Sequence, residues 1–286
     1  MIQLKHIGLF IDLSDIDELL LQYIKKLDEV YDFKSLTLIH FVALEEISKE
    51  IGDMLPFLDQ SLDEILEEEA FEKVEKVFGE RKSSIKVRIY SGGKLDQLIE
   101  WVDAQKYDLL LMGKKSVHGG SGIFSSKVVR LTSTNTLFIP ETSKPNIAKI
   151  VVPIDFSGFT ERAILMAQVI ANITGAELLV VHVLKLGIQY FPYIRKKADF
   201  QKSLEKKALE NFEKVKKSTG LGSQLEIIED RDVPVSRALY DYATRNGADL
   251  ILLGNKGKTD DDNLLIGSVA ERLISPDKHL PVLIIK

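Results

Sequence analysis

The sequence contains no cysteine, one tryptophan and no apolar run long enough to cross a bilayer. The absence of cysteine excludes disulfide bonds, thiol catalysis and thiolate metal sites. A bilayer span needs roughly 20 consecutive apolar residues, and no stretch of the chain approaches that length. Residues 1–12 also lack the charged segment and the cleavage site of a signal peptide. We therefore expect a soluble, cytoplasmic protein without a membrane partner.

The chain also has no excess of basic residues. The chain has 38 lysine and arginine residues against 43 aspartate and glutamate residues, so its net charge is −5. A nucleic-acid surface needs clustered positive charge, and this balance argues against such a partner. The remaining composition is ordinary for a globular protein, with 286 residues of which 45% are hydrophobic. That length suffices for one large domain or two modest ones.

The two halves of the chain repeat each other. Residues 6–14 match residues 149–157, and the offset between matched positions stays at 141 to 143 along the chain. The clearest matched pairs are Asp12 with Asp155, His40 with His182, and Gly113 with Gly254. A repeat of this length indicates a tandem duplication of one domain. We predict domains at residues 1–141 and 146–286, joined by a polar linker that contains a proline.

Apolar strands alternate with helical segments in both halves, which indicates α/β domains with a parallel sheet covered on both faces. In the second half the predicted strands are 149–154, 177–183, 224–229, 249–253 and 282–285, and the predicted helices are 158–173, 199–218, 235–246 and 264–274. Right-handed crossovers then give two tandem doubly wound sandwiches. Ligands of such sheets bind beyond the carboxyl ends of the strands.

A glycine-rich loop follows the fourth predicted strand of the second half. Gly254 and Gly257 are three residues apart, and nine residues separate Gly257 from Gly267, which Ser268 follows. Glycines let main-chain N–H groups approach an anion without a Cβ in the way, and a helix that begins near Gly267 adds positive partial charge. Lys256 would offset phosphate charge, and the Ser268 hydroxyl would donate to a phosphate oxygen. The loop therefore predicts a nucleotide phosphate site.

This spacing of Gly-x-x-Gly, nine residues and Gly-Ser resembles the ATP-binding signature of the universal stress protein superfamily. Residues 149–183 also look like the opening strand, helix and strand of such a domain. The resemblance covers the second half strongly and the first half in outline. It implies an adenine nucleotide alpha hydrolase-like fold with strand order 3-2-1-4-5. It also implies a regulatory, ATP-binding stress-response protein that is not an enzyme, although weak ATP hydrolysis remains open.

The resemblance assigns a role to each matching residue. Asp155 would contact adenine, beside Pro153 and Ile154, which would line the base. Val183 would offer main-chain hydrogen bonds. The residues around ribose and triphosphate would be Gly254, Lys256, Gly257, Gly267, Ser268 and Val269. In the family the last strands pair between subunits, which implies an intramolecular pseudo-dimer here, or a homodimer.

Plainer interpretations of several residues remain open. Asp155 alone would serve equally well as a cap for the helix that follows, and Gly267 and Ser268 fit an ordinary helix start. His40 and His182 lie at matching places in apolar strands, where hydrogen-bonded strand histidines are more common than ligands. The alternative functions are an adenylating or ATP-hydrolysing enzyme of the same sandwich class and a nucleotide-free scaffold for protein partners.

Two loops depart from the family pattern. Three aspartates at 260–262 stand inside the nine-residue spacer, where they either hold Mg²⁺ or Mn²⁺ beside a triphosphate or form a solvated loop. In the first half, Ser116 replaces the second glycine, and Ser126 stands near the place of Gly267. A side chain there would enter the phosphate path. We therefore expect a degenerate, empty site in the first half.

Overall fold

The structure is a computed structural model that describes residues 4–31, 33–42, 60–79, 84–91, 94–115, 122–185, 197–229, 233–257, 265–275 and 277–286. The chain divides into two compact units, residues 3–145 and residues 146–286. We refer to these units as the first and second domains. Within the described ranges, no helix combines the length and the apolar character that a bilayer span requires.

The first domain is a parallel sheet flanked by helices. Its strands are β1 (His6–Ile11), β2 (Ser35–Val42), β3 (Ile85–Ser91), β4 (Leu109–Lys114) and β5 (Thr136–Pro140). Its described helices are α1 (Ile16–Tyr31), α2 (Leu62–Phe78), α3 (Leu95–Ala104) and α4 (Gly122–Leu131). The strands pair in parallel in the order β3-β2-β1-β4-β5.

The second domain repeats this arrangement. Its strands are β6 (Lys149–Pro153), β7 (Glu177–Leu184), β8 (Leu225–Glu229), β9 (Leu250–Gly254) and β10 (Val282–Ile285). Its described helices are α5 (Thr160–Thr174), α6 (Lys197–Thr219), α7 (Val235–Arg245) and α8 (Ser268–Leu273). The parallel order is β8-β7-β6-β9-β10. The predicted doubly wound fold with strand order 3-2-1-4-5 is confirmed.

The central strands are apolar throughout because helices cover both faces of the sheet. Leu250, Ile251 and Leu252 of β9 are completely buried. An aspartate just before this strand fixes its register: Asp249 Oδ2 accepts hydrogen bonds from the main-chain N–H groups of Ala148 (2.8 Å) and Lys149 (2.9 Å). The first domain repeats this bond pair, because Asp108 Oδ2 accepts from the N–H groups of residues 5 and 6 at 2.8 Å.

Most predicted element boundaries differ from the observed ones by one or two residues, but the last helix of the second domain is shorter than predicted. The pattern predicted a helix over 264–274, whereas α8 begins at Ser268 and residues 265–267 are not helical. Gly267 is the N-cap and has extended backbone angles, φ −73° and ψ 150°. The apolar residues Leu265 and Ile266 imitate a helical pattern, although they belong to the loop that precedes α8.

Candidate functional site

A pocket of about 360 Å³ lies at the carboxyl ends of β6, β7 and β9 in the second domain. Its volume falls within the range of small-molecule sites. All ten residues predicted for the site line this pocket: Pro153, Ile154, Asp155, Val183, Gly254, Lys256, Gly257, Gly267, Ser268 and Val269. Three stretches that are distant in sequence meet here because parallel strands end at the same edge of the sheet.

The turn after β6 holds Asp155 at the pocket. Asp155 Oδ1 accepts a hydrogen bond from the N–H group of Ser157 at 3.0 Å, and Phe156 between them has a left-handed φ of 61°. Such a conformation costs a phenylalanine about 1–3 kcal/mol unless its surroundings hold it in place. Helix α5 begins only at Thr160, and its N-cap, Phe159, makes no side-chain cap bond. The interpretation of Asp155 as a helix cap is therefore wrong.

His182 forms part of the pocket wall, a position that sequence analysis did not predict. As predicted for a strand histidine, it is hydrogen-bonded: its Nδ1 donates to the carbonyl oxygen of Ile154 at 2.8 Å. Because a carbonyl can only accept, this bond leaves Nε2 as an acceptor in the neutral ring. Burial lowers the pKa of His182, although the bond to Ile154 and the nearby Asp155 carboxylate oppose the shift. The ring packs against Phe156, with centroids 4.8 Å apart.

Asn255 ties together the two ends of the glycine loop. Its side-chain Nδ2 donates to the carbonyl oxygen of Leu265 at 3.0 Å, and its own carbonyl accepts from the N–H group of Gly267 at 2.7 Å. Its N–H group donates to the carbonyl of Ile285 in β10, also at 2.7 Å. These bonds bring Gly254 and Gly267 to the same pocket, although 12 positions separate them.

The pocket combines apolar walls with an excess of positive charge. Among the described residues that line it, Lys185, Lys207 and Lys256 carry positive charge, and Asp155 is the one carboxylate. Lys256 therefore lies beside the site rather than on a distant surface. An arrangement with more ammonium groups than carboxylates favours an anionic ligand.

Helix α6 supplies a wall that sequence analysis missed. Leu204, Ala208 and Asn211 line the pocket from this helix. Their spacing of four and three residues places them on one face, which is the signal that identifies the inner side of an amphipathic helix. The spacing alone does not show that this face covers a pocket.

Two buried oxygen atoms in the pocket wall have no hydrogen-bond partner in the described structure. These atoms are Thr160 Oγ1 and Asn255 Oδ1, whose residues are 4% and 7% exposed. Buried polar atoms in native proteins are nearly always paired with protein, water or a ligand. The two atoms are consistent with a site that takes up a polar molecule.

The aspartates at 260–262 lie outside the described residues, as does Ser116. Within the part of the chain that is described, no cluster of three or more histidine, aspartate or glutamate side chains has the geometry of a metal site.

Comparison with known proteins identifies the family. The sequence model of the universal stress protein family matches residues 146–286. A universal stress protein of Methanocaldococcus jannaschii is 33% identical over 146 residues, which cover 48% of this chain and 81% of that protein.

Two solved structures resemble the chain along its whole length. A universal stress protein of Archaeoglobus fulgidus has a TM-score of 0.63 at 17% identity, with 100% of this chain and 98% of that chain covered. A protein of Pseudomonas aeruginosa described as functionally unknown has a TM-score of 0.66 at 18% identity, with coverage of 100% and 94%. These structures share the fold, and the sequence matches identify the chain as a member of the universal stress protein family.

Proposed function

We propose that the second domain binds ATP as a regulatory or sensing ligand in a stress response, and that it retains the nucleotide without rapid turnover. The observation that carries the proposal is that Asp155 and the glycine loop line one and the same pocket. Its described lining combines apolar side chains with three ammonium groups against one carboxylate. A nucleotide likewise combines a flat base with a charged tail.

Adenine would bind beside Asp155, against the apolar side chains of Pro153 and Ile154, and the main chain of Val183 would offer hydrogen bonds. A carboxylate only accepts hydrogen bonds, and adenine presents an amino group where guanine presents a carbonyl oxygen. Asp155 would therefore favour adenine over guanine. The neutral ring of His182 would keep positive charge away from this part of the pocket.

The triphosphate would bind at the glycine loop. Main-chain N–H groups near Gly257 and Gly267 would approach the phosphate oxygens, and the Ser268 hydroxyl would donate a hydrogen bond. Lys185, Lys207 and Lys256 would balance the negative charge of the tail. We propose that Mg²⁺ or Mn²⁺ accompanies the triphosphate, as such hard cations prefer oxygen ligands.

We further propose a cytoplasmic location and an internal pairing of the last strands, β5 and β10, as a pseudo-dimer. The pairing follows the family arrangement, in which those strands pair between subunits. Homodimers of the whole chain are the alternative assembly.

Calorimetric titration of the full chain with Mg-ATP, combined with a multiple-turnover hydrolysis assay, tests the proposed function. We expect one equivalent of ATP per chain and no sustained release of phosphate. Many turnovers per chain would instead support an adenylating or ATP-hydrolysing enzyme, and absence of binding would support a nucleotide-free scaffold. Mass spectrometry of small molecules released from the purified protein identifies the natural ligand.

A further inference from the structure

The two domains can be aligned at the carboxyl ends of their first strands by a shared hydrogen bond. His40 Nδ1 donates to the carbonyl oxygen of Ile11 at 3.0 Å, and His182 Nδ1 donates to the carbonyl oxygen of Ile154 at 2.8 Å. The strand registers agree, because Ile11 pairs with His40, and Pro153 pairs with Val181, so that Ile154 and His182 are the next residues after this pair. Positions at this edge of the first domain therefore have defined counterparts in the second.

In this alignment Phe10 is the counterpart of Pro153, and Phe41 is the counterpart of Val183. Pro153 and Val183 both line the second-domain pocket. In the first domain a third ring, Phe124, contacts both phenylalanines. Its centroid is 5.5 Å from that of Phe41 with an interplanar angle of 14°, and 5.7 Å from that of Phe10 with an angle of 74°. These are the stacked and edge-to-face geometries that aromatic rings prefer.

Phe124 reaches the two phenylalanines because helix α4 begins earlier than its counterpart, α8, in the second domain. Helix α4 begins at Gly122, five positions before Lys127, the counterpart of Ser268 at the start of α8. The counterpart of Phe124 is Leu265, which lies in the non-helical stretch before α8 and is 56% exposed. The additional helical residues in the first domain thus place an aromatic side chain against Phe10 and Phe41.

Asp12, the counterpart of Asp155, has a carboxylate that already interacts with other groups of the protein. Asp12 Oδ2 lies 2.6 Å from Lys115 Nζ, and Lys115 is the counterpart of Lys256. Asp12 Oδ1 accepts a hydrogen bond from the N–H group of Ser14 at 3.2 Å. Burial raises the pKa of Asp12, but the bonds from Lys115 and Ser14 outweigh it, so that the pKa is lower than usual.

We propose that the first domain retains a binding subsite for a planar aromatic ring beside Phe10 and Phe41, and that Phe124 occupies this subsite and excludes a purine from it. The choice of a purine as the excluded ligand rests on the proposed function of the second domain. Removal of the Phe124 ring should therefore open a second base-binding site in the chain.

The single tryptophan of the chain reports on this subsite. Phe41 lies 6.3 Å from Tyr90 between ring centroids, and Tyr90 lies 6.1 Å from Trp101. A ligand that enters beside Phe41 changes the packing of this series of rings, and hence the emission of Trp101.

The experiment is a titration with adenosine, followed by calorimetry and by Trp101 fluorescence. Adenosine carries no phosphate, so the loss of phosphate contacts at the altered glycine loop of the first domain does not affect the result. The full chain is compared with Phe124→Ala and with Leu131→Ala, a control on the same helix whose side chain is 39% exposed. Each variant is also prepared with Asp155→Ala, which weakens the second-domain site. Phe124→Val, which also removes the ring, replaces Phe124→Ala if that variant does not fold.

We expect Phe124→Ala to bind one more equivalent of adenosine than the parent, with a saturable change in Trp101 emission that persists in the presence of Asp155→Ala. The parent and Leu131→Ala should show no such change. A folded Phe124 variant without the additional site would overturn the proposal, and so would a saturable Trp101 response in the parent. A parent that does not bind Mg-ATP in a parallel titration would contradict the proposed function alone, because the Trp101 response to adenosine still decides the role of Phe124.

Discussion

A Cβ atom on Gly254 would lie 2.4 Å from the Cβ of Phe159 and 3.1 Å from its Cγ. Phe159 is the N-cap of α5, so its Cβ is held by the backbone of the turn after β6. The sequence suggests that Gly254 is present so that a phosphate can approach the main chain. The structure adds a second reason, because the end of β9 packs so closely against the start of α5 that position 254 has no room for a Cβ atom.

We predict that Gly254→Ala destabilises the second domain by about 1–3 kcal/mol, the usual cost of overpacking. The matched control is Gly113→Ala in the first domain, where the nearest atom is the Cδ1 of Ile16 at 2.8 Å. A terminal methyl group moves more easily than a Cβ, so this variant should lose less stability. Hydrogen exchange measured by mass spectrometry reports the opening of each domain separately. Equal losses in the two domains would contradict this explanation.

Gly267→Val should weaken ATP binding at least tenfold, or roughly 1.4 kcal/mol. A β-branched side chain at the N-cap of α8 would obstruct the approach of phosphates to the loop. Ser126→Ala, in the first domain, should leave the affinity unchanged. Calorimetry with Mg-ATP measures both variants. Two equivalent sites in the parent, or a similar loss in Ser126→Ala, would show that the first domain also binds ATP.

Asp155→Ala should cost on the order of 1.5–3 kcal/mol of ATP binding, the contribution of a hydrogen bond to a charged group. The preference for adenine over guanine should decrease as well. Asp155→Asn is the informative control, because its side-chain oxygen can still accept from Ser157 and preserve the turn. If Asp155→Asn binds ATP and GTP as the parent does, the carboxylate charge has no role in base selection.

The buried carboxyl of Asp17 should make the first domain less stable as the pH rises. Asp17 is 1% exposed, and its Oδ2 has no hydrogen-bond partner in the described structure. Burial and the nearby Asp12 carboxylate raise its pKa to about 7. Between the unfolded value, about 3.9, and about 7, the folded state binds more protons than the unfolded state, so stability falls across this window and is constant above it.

Asp17→Asn should remove this decrease and raise the stability at pH 8 by at least about 1.4 kcal/mol, the equivalent of one pKa unit. Asp15→Asn is the control, since Asp15 is an exposed neighbour. Denaturant titrations at pH 5 and pH 8 measure the difference, and Trp101 emission restricts the signal to the first domain. A parent that is equally stable at both values would mean that Asp17 does not carry an abnormal pKa.

Residues 146–286 expressed alone should dimerise or aggregate. Within the second domain β10 pairs with β9, and an apolar strand with an open edge invites pairing with another chain. Light scattering of the fragment at several concentrations provides the measurement. A stable monomer would argue against the proposed pairing of β5 with β10.

The sequence by itself determined the α/β class of both domains and ten of the residues that line the pocket, and its resemblance to a known family implied the strand order. Strict alternation of apolar strands and helices indicates parallel sheets with right-handed crossovers, which leave few possible topologies. The edge occupied by Asp155, Val183 and Gly254 follows from that topology, because parallel strands end together. Local patterns were therefore sufficient to identify residues that approach each other from three separate stretches.

Only the tertiary structure decided how these residues are held. The close packing of Gly254 on Phe159, the left-handed turn at Phe156 and the place of His182 in the pocket wall depend on side-chain distances that sequence spacing does not contain. The contact of Phe124 with Phe41 depends on where α4 begins, and a change of a few residues in a helix start moves a side chain to another face. Packing at such distances decides whether a duplicated crevice is open to a ligand or filled by the protein itself.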